Sequence, residues 1–61
     1  MLNMSNSMYY YVSGSMGMTS NGSFTKDKSR WIRFTELDKE RYQSSGSKPY
    51  GATKRGTWVR A

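Results

Sequence analysis

Sixty-one residues permit one small domain, and the chain carries ten Lys or Arg against four Asp or Glu, with no histidine and no cysteine. The missing thiols and imidazoles exclude a disulfide framework and the usual zinc sites. A chain this short leaves roughly 40% of its unfolded surface wet even after folding. Aliphatic side chains are scarce (Leu2, Val12, Ile32, Leu37, Val59), so aromatics and methionines must supply most of the core. A core that thin usually leans on a partner. No apolar run of about eighteen residues and no basic leader is visible, so a cytoplasmic protein without a membrane span is expected.

Charge divides the chain. Residues 1–25 hold no charged side chain, and all fourteen charges fall between Lys26 and Arg60. Residues 1–6, small and polar, read as a disordered arm, and residues 7–61 as a single small domain. Tyr9, Tyr10, Tyr11 and Val12 are strong strand formers, which predicts a strand over Met8–Ser13. A run of that length straddles both faces of a sheet, so at least one tyrosine ring must point outward.

In "TSNGSF" the Asn21-Gly22 pair predicts a two-residue hairpin turn, with Ser20 opposite Ser23, Thr19 opposite Phe24 and Met18 opposite Thr25. "SRWIRFTEL" reads as the best strand of the chain, with Ile32 and Phe34 on its buried face and Trp31, Arg33 and Thr35 on the other. Its approach, "KDKSR", would align Lys26, Lys28 and Arg30 along one side if extended. Thr35 with Asp38 three residues on is a capping signal for a short helix, residues 36–43. "SSGSKPYG" is a loop by composition. "TWVR" predicts a final strand with Trp58 and Val59 on opposite faces. The expected fold is therefore a small β-rich α+β domain, an antiparallel sheet of three to four short strands with at most one short helix.

The chemistry of catalysis is thin. No histidine offers a base, and ten serines without one could turn only to a lysine, whose activation needs more core than this chain supplies. Glu36, Asp38 and Glu40 diverge on a helix. The glycines form no phosphate loop, and "ELDKE" lacks calcium-loop spacing. No enzyme activity, metal or cofactor is expected. The chain does not fit a WW module, an Arg-Gly-Gly box, a zinc knuckle or a helix-turn-helix.

What remains is positive charge interleaved with aromatics, the footprint of nucleic-acid binding. Lys26, Lys28, Arg30 and Arg33, with Lys48, Lys54, Arg55 and Arg60, are the candidate phosphate contacts, and Tyr50 and Trp58 the candidate stacking rings. Each has a plainer reading. The lysines could protect a sheet edge, and either tryptophan could be a core residue. The closing stretch "KPYGATKRGTWVRA" is thus either a cationic hand or a charged edge with a tryptophan tucked inward. Two functions compete. One is a small basic module that binds DNA or RNA mainly through phosphates, with aromatic stacking as a secondary contribution. The other is a small inhibitor or accessory factor of the phage or mobile-element kind, or an assembly subunit, docking on a larger protein or ribonucleoprotein. Homo-oligomerisation is compatible with both.

Overall fold

The structure, a computed structural model, describes residues 8–61 and, within them, every side chain except that of Tyr50. The arm expected over residues 1–6 lies outside the described residues. The tyrosine run forms β1 (Met8–Ser13), as its β-propensity predicts, and the sheet is built around it. The other strands are β2 (Met16–Met18), β3 (Phe24–Thr25), β4 (Phe34–Thr35) and β5 (Thr57–Arg60), with one helix, α1 (Glu36–Ser45), between β4 and β5. All pairings are antiparallel. The expected α+β architecture is observed, with five strands.

Register shows how β1 is shared. Tyr9 pairs with both Arg60 of β5 and Phe34 of β4, and Val12 pairs with both Thr57 of β5 and Gly17 of β2. A strand residue has two edges, so β5 occupies one edge of β1 while β2 and β4 divide the other end to end. Ile32 N–H donates to Met18 O at 3.1 Å and closes the gap between them. β3 continues outward from β2. The result is a curled sheet with Tyr9 and Tyr11 toward the helix and Met8, Tyr10 and Val12 on the opposite, open face.

The core lies between the curled sheet, α1 and the tail. Tyr11, Met18, Phe34 and Ala52 are buried, with Phe24, Ile32, Tyr42 and Trp58 packed against them. Pro49 is fully enclosed. Trp58 is central: its ring lies 4.8 Å from Tyr11, 5.1 Å from Phe34 in a T-shaped pair and 6.4 Å from Tyr42 in a stacked one. Aromatic pairs in these geometries add about 0.5–1.5 kcal/mol beyond burial. Aromatics thus supply what the few aliphatics cannot.

α1 starts as its capping signal predicts, Thr35 Oγ1 accepting from Asp38 N–H at 3.1 Å. It runs two residues past the expected Gln43. It ends in a Schellman arrangement, with Ser47 N–H donating to Tyr42 O and Gly46 N–H to Gln43 O. Tyr42 faces the core, while Leu37 is 67% exposed on the outer side.

Two local expectations are corrected. The hairpin after β2 closes through a three-residue loop, not the two-residue Asn-Gly turn: Thr19 N–H donates to Ser23 O, and Met18 pairs with Phe24. A one-residue slip flips every side chain. The observed register sets Met18 and Phe24 on the core face together, where the expected one would have split them. Gly22 at φ 90° supplies the left-handed residue this loop needs, while Asn21 Oδ1 accepts from Thr19 Oγ1 at 2.6 Å and Ser23 Oγ at 2.8 Å.

The long strand expected over "SRWIRFTEL" is reduced to Phe34–Thr35. Asp27 Oδ1 accepts from Ser29 N–H and Oγ–H, winding Lys28–Arg30 into a 3-10 turn. Lys26, Lys28 and Arg30 therefore form no extended row. On the edge of β1 that β2 leaves free, β4 pairs only with Met8 and Tyr9. Phe34 is buried as expected, and Ile32 is half-buried against the core.

Candidate nucleic-acid interface

The open face of the sheet carries the feature of most chemical interest. Gly17 and Val12 are register partners, so the missing side chain of Gly17 leaves a gap on the face that Tyr10 and Val12 share. The indole of Trp31 fills it. A Cβ on Gly17 would land inside the ring, nearest Cδ2, Cε2 and Cγ, which places the indole face-on against the Gly17 backbone. Trp31 Nε1–H donates to Thr25 O at 2.7 Å, and Tyr10 meets the indole in a T-shaped contact at 5.3 Å. Two aromatic rings are held there by the sheet itself.

Positive charge rims these rings. The Lys28 ammonium lies 5.6 Å from the Trp31 ring centre, a loose cation–π contact. Lys28, Ser29 and Arg33, together with Met8, Tyr10, Trp31 and Ile32, line an open depression of about 590 Å³. Lys26 and Arg30 flank the same turn and are exposed. The neighbouring acid, Asp27, is engaged: hydrogen bonds from the Ser29 side chain and backbone, with the nearby Arg30 charge, hold its carboxyl below the ordinary aspartate range.

The other candidate residues lie elsewhere. Lys54 sits over the Phe24 ring at 5.4 Å, and Arg55 donates to Gly46 O at 3.3 Å across the end of α1. Lys48 precedes the buried Pro49 and is exposed. Arg60, exposed, pairs in register with Tyr9, which Lys39 of α1 covers at 4.8 Å. None of these cations lines the Trp31 depression. Tyr50 falls among the side chains not described. Trp58, a candidate stacking ring on sequence, is instead half-buried among Tyr11, Phe34 and Tyr42, because β5 pairs with β1 in the register that turns it inward.

The closing stretch is therefore anchored to the fold, with Lys54, Arg55 and Arg60 exposed along it. Pro49, Ala52 and Trp58 hold it to the core, and Thr53 N–H ties it to Gly22 O at 3.0 Å. Trp31, Ser29 and Ile32, as well as Tyr10 and Met8, were missing from the site residues singled out by sequence. Alternation around an inward Tyr11 is the signal that points to the last two, since it turns Tyr10 outward.

No protein-family model matches the chain, and neither a curated protein nor a solved structure shows significant similarity to it. Among the described residues no helix is long and apolar enough to cross a membrane, and no three metal-ligating side chains cluster.

Proposed function

We propose that this chain is a small binding module for nucleic acid, acting mainly through phosphate contacts and without catalysis. The observation that carries this reading is the segregation of charge. Three of the four acids (Glu36, Asp38, Glu40) lie on α1, where Arg41 pairs with Asp38 at 3.8 Å. Off the helix, eight cations face one acid, Asp27, whose carboxylate is occupied by Ser29. A surface of that kind attracts a phosphate backbone and releases its counterions. α1, with more acids than bases, is unsuited to lie in a DNA groove, so the sheet and its turns are the contacting elements.

The test is binding to a fluorescent oligonucleotide across salt concentrations. A log–log slope corresponding to roughly 4–8 displaced charges is expected. A signal that is absent at low salt overturns the reading.

A second reading, docking on an acidic protein surface, draws support from Leu37, 67% exposed, and Val59, 38% exposed on the open face. Exposed apolar side chains become docking contacts where they join into a contiguous patch. Affinity purification with and without nuclease separates the two, since only protein-mediated partners survive digestion.

A further inference from the structure

We infer that the depression over Trp31 is a seat for one unpaired base, which makes single-stranded nucleic acid the preferred ligand. This rests on the nucleic-acid reading above and narrows it. Gly17 covers one face of the indole, and the other is directed toward Lys28. Tyr10 adjoins the indole in a T-shaped contact at 5.3 Å. The indole thus offers a flat aromatic surface, set among Met8, Tyr10 and Ile32 and beside Lys28, Ser29 and Arg33.

A base inside a duplex has both faces stacked and cannot present one to this surface. An unpaired base can, and stacking on an aromatic side chain is tolerant of sequence because every base has a π-face. Charge complementarity selects the occupant: the indole is set beside two cations and a hydroxyl, and the adjoining Asp27 is satisfied by Ser29. An acidic peptide would match the charge, but its carboxylates and its rings are on separate side chains, whereas every nucleotide joins a flat ring to a phosphate. Lys28 has a dual position. Its ammonium rests loosely over the ring in the unbound chain, and an entering base displaces it toward the phosphate attached to that same base.

The test compares three ligands of equal length on the full chain: an ordinary single strand, the same backbone with abasic sites, and a duplex. The ordinary strand is expected to bind about tenfold more tightly than the abasic strand, the effect of one base stack, and more tightly than the duplex. Quenching of tryptophan emission should accompany only the ordinary strand. Trp31→Leu, which keeps apolar bulk over Gly17 and removes the π-face, should erase the difference between ordinary and abasic strands. Because the ligand comparison needs no variant, misfolding of Trp31→Leu leaves it intact. Ordinary and abasic strands binding equally, with salt dependence retained, overturns the base seat and leaves the phosphate reading standing. Failure of all three to bind at low salt overturns both.

Discussion

Tyr11 and Trp58 face each other across β1 and β5 as register partners, their ring centres 4.8 Å apart, and this pair joins the two ends of the described chain. The same indole also meets Phe34 and Tyr42, so strands β1, β4 and β5 and the helix converge on it. Trp58→Ala should therefore act on folding. Removal of a large aromatic costs about 3–5 kcal/mol, and a domain of this length has only roughly 3–9 kcal/mol of stability at the usual value per residue. Thermal melting by circular dichroism should show a largely unfolded population at room temperature. Trp58→Phe should melt cooperatively at an intermediate temperature. An unchanged melt for Trp58→Ala would mean that the ring is not a core element.

Gly17→Ala tests the opposite face. The added methyl has no room because the indole of Trp31 occupies its position. Overpacking of this kind costs about 1–3 kcal/mol. Trp31 should be lifted from the sheet and its bond to Thr25 O broken, so its emission should shift to longer wavelength. The Tyr11–Trp58 contact lies on the other face and should persist. Emission identical to the parent chain would place Trp31 elsewhere.

Replacing Lys54, Arg55 and Arg60 with Gln should separate binding from stability. All three are exposed, and exposed charges contribute little to folding. The melting temperature should stay nearly unchanged. Oligonucleotide affinity should fall at least tenfold, about 1.4 kcal/mol, and the salt slope should drop by about 2–3. The preference for ordinary over abasic strands should survive, because Lys54 and Arg55 lie near Phe24 and Gly46 and do not line the Trp31 depression. Full affinity would show that these cations are only a charged edge.

Acid should loosen the turn that positions Lys28 and Trp31. The Asp27 carboxyl is held below the ordinary value of 3.8 by the Ser29 side-chain and backbone hydrogen bonds and the Arg30 charge. A carboxyl whose folded value is depressed contributes its stabilisation above the unfolded value and loses it as pH falls through the folded one. The turn should thus be intact at pH 5 and above, and open progressively below pH 3.8. Trp31 emission followed in a Trp58→Phe background reports it. Asp27→Asn, which cannot titrate, should flatten the profile, and an unchanged profile in that variant would exclude Asp27 as the cause.

Much of this fold was legible in local chemistry. The tyrosine run specifies β1, Thr35 and Asp38 specify where α1 begins, and "TWVR" specifies β5, because propensity and capping act within a few residues. The charge asymmetry is likewise a property of sequence alone. Tertiary structure decided the rest. Pairing Met18 with Phe24 on the core face outweighed the two-residue turn that Asn21-Gly22 favours. Of the strand expected around Ile32 only Phe34 and Thr35 pair with β1, while Asp27 and Ser29 wound its approach into a turn. The placement of the two tryptophans, left open by sequence, was decided in the same way. Both have strand-like surroundings in sequence, but β5 pairs with β1 so that Trp58 faces Tyr11, and the vacancy at Gly17 draws Trp31 onto the open face. Which face a ring takes depends on contacts made across the fold, and those are absent from any short window of sequence.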